Sequence, residues 1–310
     1  MLTKNKVQKT KKKPIKKELV AFIIFACAMP VIHWLIFYVF ANGSAILMAF
    51  TNNKGEFSFD NFIRFFSEMK KSTSELRVAF RNTFLTFVII VVSYPFKVLV
   101  SYFIYKKVPG AAIYRVLFFL PSIIFSVCTA WVFKQLLGVN GFIAEWVQEW
   151  LGLASTPELM ADSRFANIIV ILHMLWLGFP GDLIIWGGTF ARIPTDVLEA
   201  GRMDGVSWWQ EFTHITIPLV WPTLALQMIL MLCGVFGSGG AVFLLTGGGF
   251  NTQTFSNWMY QQTLDNSGNM YTTHVYNYMS AVGLMITVVA VGISLFVRRF
   301  TDKAFNDVDF

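Results

Sequence analysis

Six hydrophobic stretches, each about 20 residues long, constrain this chain more than any other feature. They lie near 19–41, 83–105, 112–133, 166–190, 218–237 and 277–297. A stretch of that length crosses the hydrocarbon of a bilayer as a helix. In lipid no water is at hand for backbone N–H and C=O groups, so each segment must pair its own. Composition agrees: 14% of residues are charged and the mean hydropathy is +0.56, where a soluble domain carries about 25% charge. The expected fold is an all-α membrane protein with six transmembrane helices. Trp34, Tyr38, Tyr102 and Tyr105 fall near span ends, as interfacial aromatics do. The first stretch follows a basic region, as a signal peptide would. Its apolar run is longer than an h-region, and five more spans follow, so it is expected to be a retained span.

Charge sets the orientation. Lys4, Lys6, Lys9, Lys11, Lys12, Lys13, Lys16 and Lys17 precede the first acid, Glu18, and outweigh the net charge of +7. A lysine run abutting a span reads as an anchor on anionic lipid and not as a nucleic-acid site. With that tail inside, Lys106, Lys107, Arg115, Arg192, Arg202, Arg298, Arg299 and Lys303 also fall inside, and the segment 239–276 carries no Lys or Arg. Both termini are therefore expected in the cytoplasm. The expected organisation is a basic tail at 1–18 and a transmembrane domain at 19–310.

The outer segments carry structure of their own. Residues 55–81 set Phe57, Phe59, Phe62, Phe65 and Phe66 among charges, the pattern of a surface amphipathic helix. Residues 140–162, with Trp146 and Trp150, look similar. No internal sequence repeat is evident.

Enzyme chemistry finds no support. There is no paired carboxylate set and no nucleophile–base pattern. Cys27, Cys128 and Cys233 lie in apolar stretches and read as buried thiols. No Cys/His pair has metal spacing, and His33 and His173 read as packing residues. Gly247-Gly248-Gly249 lacks the Lys-Ser/Thr of a phosphate loop. The chain is expected to bind no metal and no cofactor, and no ATP-binding motif occurs in it.

The polar connection 191–218 is the richest in local signals. Ile193-Pro194 stops the fourth span. Asp196 with Glu199, and Ser207 with Gln210, each have capping-box spacing. A short helix over 197–204 should end at Gly205, which tolerates a left-handed backbone. A second helix should run to about 215 before Pro218 opens the fifth span. Residues alone predict a helix-Gly-helix elbow that offers the Glu199 and Asp204 carboxylates to a partner's cations.

Charges also occur inside the spans. Lys97 lies nine residues before Lys106, and Asp182 ten before Arg192. At 1.5 Å per residue both sit about 14 Å from the span end. A bare charge there costs at least ~2.5 kcal/mol, so two at one depth are expected to pair. Gln227 falls at a similar depth, and Trp176 offers an indole face suited to core packing or to stacking on a flat ligand. Lining a polar path and fixing helix packing are both open readings of this layer. Trp186 reads as core.

The elbow's wording, Glu199-Ala200-Gly201-Arg202-Met203-Asp204-Gly205 followed by Ile215-Thr216-Ile217-Pro218, resembles the EAA loop of ABC-importer permeases. Asp204-Gly205-Val206-Ser207-Trp208-Trp209 is similar to the carbohydrate-uptake branch, the maltose and glycerol-3-phosphate type. Leu245-Thr246-Gly247-Gly248-Gly249, and more weakly Met48–Asn52 with Phe59–Phe62, match it as well. The family's second alanine is Gly201 here, and its Leu-Pro is Ile217-Pro218. The resemblance implies a cytoplasmic coupling helix between spans four and five, with Glu199, Ala200, Gly201, Asp204 and Gly205 docking an ATPase subunit. It implies a sister permease forming a heterodimer, two ATPase subunits, an extracytoplasmic solute-binding protein, and sugar import through the plasma membrane. Thr246, Gly247, Gly248 and Gly249 would form an outer loop. Two competing readings stay open: an ion-coupled secondary transporter or channel using Lys97 and Asp182, and an ABC permease for a non-sugar solute.

Overall fold

A computed structural model describes residues 17–71, 73–138, 141–152, 155–265 and 272–304. Of the expected basic tail, residues 1–16 lie outside the described residues. Helices dominate, and one isolated bridge joins Thr51 to Phe57. Six helical segments are long and apolar enough to cross a membrane: Phe22–Ala49, Glu75–Tyr105, Ser126–Leu151, Ala166–Phe190, Trp208–Leu245 and His274–Thr301.

The first span is α1 (Lys17–Trp34), which passes through a π-helical turn at Leu35–Phe40 into α2 (Ala41–Ala49). No residue of 22–40 is buried. An all-round apolar helix with no protein cover is what a lipid-facing span presents. Only its end, α2, packs broadly, on α14 (Thr272–Ala304).

Two expected elements are corrected. Residues 55–81 do not form one surface helix. α3 (Asp60–Lys70) buries Asn61 and Phe65, and Glu75 already opens α4 (Glu75–Tyr105), eight positions before the expected span start. The expected span at 112–133 is likewise two helices, α5 (Ala111–Ile123) and α6 (Ser126–Leu137), parted by extended backbone at Ile124 and Phe125. Pro121 withholds the N–H that would bond Leu117, and the Ser122 hydroxyl donates to the Phe119 carbonyl at 2.8 Å. The apolar run continues past Ile123 although the helix does not. α7 (Phe142–Leu151) follows, with Trp146 and Trp150 stacked and exposed.

α8 (Ala166–Phe190) sits where the fourth span was expected. It packs more extensively on α4 than any other pair of elements does. The two run parallel in one register. Asn82 meets Asn167, Lys97 meets Asp182, and Tyr105 meets Phe190, each pair 85 positions apart. Pro95 and Pro180 share that offset, so both helices break their ladders at one level. Matched interruptions let two long helices stay in contact along their length. Tyr102, Trp186 and Phe190 form the buried seam, none more than 1% exposed.

The chain then builds α9 (Thr195–Met203), α10 (Trp208–Gln210), a π-helical turn at Glu211–Thr216, and α11 (Ile217–Gly234). Pro218 has no N–H for the His214 carbonyl, which accounts for widening of the turn just before it. After a 3₁₀ turn at Val235–Gly237 come α12 (Gly240–Leu245) and α13 (Phe255–Asp265), which packs on α4 and α14. The cysteines expected to be buried are exposed and unpaired by disulfide, although Cys233 Sγ lies 3.1 Å from Ser294 Oγ on α14.

Candidate functional site

The 191–217 connection is built by local rules and then bolted to the span helices. α9 starts after Pro194, which takes the cap position, so Asp196 lies in the first turn and makes no cap hydrogen bond. The expected Asp196–Glu199 capping box is therefore absent. The helix end is as expected. Gly205 adopts φ +73°, its N–H reaches the Arg202 carbonyl at 3.1 Å, and Val206 N–H reaches the Gly201 carbonyl at 3.1 Å. That pair of bonds is a Schellman closure, which needs the left-handed residue. The second capping box forms. Gln210 N–H donates to Ser207 Oγ at 3.4 Å, and Ser207 N–H donates to Gln210 Oε1 at 2.9 Å.

α9 has an inner and an outer face. Leu198 and Gly201, three apart, are buried. A Cβ on Gly201 would lie 2.8 Å from Ile215 Cδ1, the movable end of a side chain, so alanine there asks only for an Ile215 adjustment. Glu199, Ala200, Met203 and Asp204 are exposed, with Met203 at 88%. Trp208 and Trp209 are exposed beside them. The seating of this element comes from a residue that sequence reading passed over. Glu211 is 7% exposed, forms an ion pair with Lys106, and accepts a 2.9 Å hydrogen bond from the Tyr102 hydroxyl. Both partners belong to the end of α4. Leu198 and Phe212 join Tyr102 and Phe190 in the same apolar cluster.

Along α4 toward its other end, Lys97 Nζ and Asp182 Oδ2 are 2.8 Å apart, with side chains 11% and 20% exposed. Neither faces outward bare, as their matched depth required. Gln227 is half-buried on α11 and, among the described residues, makes no hydrogen bond to this pair. Trp176 is 37% exposed and packs 5.5 Å from Phe133, while Trp186 is fully buried.

The stretch 247–255, which runs on from Thr246, is held by a polar set also unforeseen. Asn82 donates to the Gln253 carbonyl at 3.0 Å, and Asn167 to the Asn251 carbonyl at 3.0 Å. Thr83 Oγ1 accepts Phe255 N–H at 2.9 Å, and Gln261 donates to the Gly247 carbonyl. Gly247 and Gly248 have φ of +64° and +90°, and a Cβ on Gly248 would lie 2.6 Å from Asn257 Oδ1. Glycine suits the backbone at both positions, and at Gly248 the space as well. Thus α4 and α8 carry a clamp on this segment at one end, an ion pair between, and the Glu211 anchor at the other end of α4. Among the described residues, no group of His, Cys, Asp and Glu is arranged to hold a metal ion.

The chain is 28% identical over 220 residues to the maltose/maltodextrin transport system permease protein MalF of Vibrio vulnificus, covering 67% of this chain and 41% of that protein. It is 26% identical over 203 residues to the galactooligosaccharides transport system permease protein GanP of Bacillus subtilis, covering 63% and 46%. The matches thus span less than half the length of these relatives. A bacterial ABC transporter involved in the import of the acidic polysaccharide alginate contains a chain of the same fold, with a TM-score of 0.76, 22% identity, and coverage of 92% of this chain and 96% of that one. The family model described as "Binding-protein-dependent transport system inner membrane component" matches residues 72–305. Because that match runs across five of the six spans and both polar connections, the chain belongs to the family of inner membrane components of binding-protein-dependent transport systems.

Proposed function

We propose that this chain is a permease subunit of an ATP-driven sugar importer and forms half of its translocation pathway. The observation that carries the reading is α9, a short helix closed at Gly205, anchored through Glu211, with Glu199, Ala200, Met203 and Asp204 on its free face. Such a helix transmits force only if it cannot slip on its own scaffold, and the buried anchor meets that need. In this reading 194–217 is cytoplasmic and docks an ATPase subunit. Both termini are cytoplasmic, with a basic tail at 1–18 preceding the permease domain at 19–310. A sister permease completes the path, two ATPase subunits drive it, and an extracytoplasmic solute-binding protein delivers sugar near Thr246–Gly249. Lys97, Asp182, Gln227 and Trp176 are the path candidates on this chain. The chain itself binds neither cofactor nor metal. The named sugars of its relatives support a saccharide substrate.

The test is uptake into proteoliposomes of labelled maltodextrin, galactooligosaccharide and alginate oligosaccharide. The purified chain is compared with the assembly of chain, sister permease, ATPases and binding protein. Uptake of at least one sugar is expected only by the assembly with ATP inside, and is expected to be lost with Glu199→Lys. Uptake by the chain alone under an ion gradient would replace this reading with a secondary transporter. A second variant isolates the elbow. Gly205→Val places a β-branched residue at φ +73°, where no neighbouring atom lies within 4 Å of the new Cβ, so only backbone strain acts. That strain is about 1–2 kcal/mol or more. ATP hydrolysis should continue with transport reduced at least tenfold, and Gly205→Asn should recover much of the loss. Full coupling in the valine variant would remove the closure from the mechanism.

A further inference from the structure

Adjacent lysines at the end of α4 serve different sites. Lys106 turns under the elbow to Glu211. Lys107 takes φ +54°, a left-handed backbone that swings the next side chain away from that anchor. It lines a separate cleft of about 420 Å³ between the end of α4, the first turns of α5, and α8. Arg115, on the second turn of α5, lines the same cleft. The tight α4–α5 turn brings these two cations together, and no carboxylate lines the cleft with them. Neither has an ion-pair partner among the described residues, whereas Lys97 and Lys106 are both paired.

Ser101 and Tyr105 add hydroxyl-bearing side chains at the α4 side, and the rest of the lining is apolar or bare. Phe119, Leu183 and Ile184 contribute hydrocarbon, and Gly187 and Gly188 have nothing within 4 Å of where a Cβ would stand. Both glycines sit in the last turn of the fourth span, so the cleft opens at the level where a bilayer meets water. Beyond it the exposed Val116, Leu117 and Leu120 of α5 continue the apolar surface into the span. We propose that this cleft binds the phosphate of an anionic phospholipid, with an acyl chain laid along α5. Two unpaired cations select a headgroup of net negative charge and disfavour a zwitterionic one, whose ammonium they repel. The apolar floor selects a lipid over a soluble anion, which gains nothing from hydrocarbon contact. Basic pockets between spans bind lipid headgroups in this manner.

The experiment uses the full chain purified in neutral detergent. Native mass spectrometry counts bound phosphatidylglycerol and phosphatidylcholine, and thermal unfolding is followed with each lipid, with inorganic phosphate, and with trigalacturonate. Phosphatidylglycerol is expected to bind and to raise the unfolding midpoint, and the other three are not. In Lys107→Gln/Arg115→Gln its affinity should fall roughly 30-fold, at about 1 kcal/mol or about fivefold per lost cation. The lysine tail is common to both proteins and cancels from the comparison. The unfolding midpoint in phosphatidylcholine should match between wild type and variant, which separates lost binding from lost folding. If that midpoint falls, Arg115→Gln alone is the variant used, with about fivefold expected. Equal binding of the two lipids, or phosphatidylglycerol binding unchanged in the variant, overturns the proposal. Protection by phosphate or trigalacturonate that the variant loses also overturns it, and reassigns the cleft to a soluble anion.

Discussion

Replacing Asp182 by leucine, with Lys97 kept, is expected to cost about 3–5 kcal/mol of stability, because it strands an ammonium that is 9% exposed beside the Trp186 seam. Lys97→Met/Asp182→Leu should return stability to within about 1 kcal/mol of wild type or raise it, since a well-packed apolar pair often equals a buried ion pair. Chemical unfolding of the purified chain reads both effects. A single variant that unfolds like wild type would mean that the pair is solvated and weak. Transport by the double variant then separates the two readings of this layer. If stability and uptake both recover, the pair fixes packing. If stability alone recovers, the charges face the path.

The second large effect is at Glu211. Glu211→Leu removes the counter-charge of Lys106 and the acceptor of the Tyr102 hydroxyl in one step. Leaving the cation uncompensated is expected to loosen 195–216 by about 3 kcal/mol, more than a hundredfold in the local opening equilibrium. Hydrogen exchange across 195–216 should accelerate accordingly, and trypsin should cut faster at the exposed Arg202, while exchange in α13 and α14 stays unchanged. Adding Lys106→Met should restore most of the protection. Unaltered exchange in Glu211→Leu would show that the apolar contacts of Leu198 and Phe212 suffice to seat the elbow.

Which features were legible follows from how local their physics is. The spans were legible because lipid forces every apolar stretch into a paired helix, whatever it packs on. The elbow was legible at Gly205 and Ser207 because closure and capping are settled within four residues. Asp196 misled because Pro194 occupies the cap position, leaving the aspartate inside the helix. Pro121 was hidden in an apolar run, and hydropathy does not register a lost backbone donor. Glu211 went unmarked, because its partners Tyr102 and Lys106 are 109 and 105 positions away. The shared offset of Asn82, Pro95 and Lys97 with Asn167, Pro180 and Asp182 carries no meaning until α4 and α8 are known to run parallel. Lys97 and Asp182 were paired in advance only because membrane depth supplied the missing coordinate.

No flexible joint separates the elbow from the fifth span. From Trp208 the backbone stays helical through the π turn and on to Gly234. Measured straight, a helix of that length is a lever about 40 Å long, with the π turn, Pro218 and Pro222 as its own points of bending. A tilt of 10° imposed at its Trp208 end displaces the other end by about 7 Å, more than the width of a sugar ring. That far end opens directly into the 3₁₀ turn and the glycines at 237, 239 and 240, where the continuous helical run from Trp208 ends. If the elbow is driven by a docked subunit, as proposed above, the stroke that reaches the Thr246–Gly249 segment is set by where α11 pivots against α14.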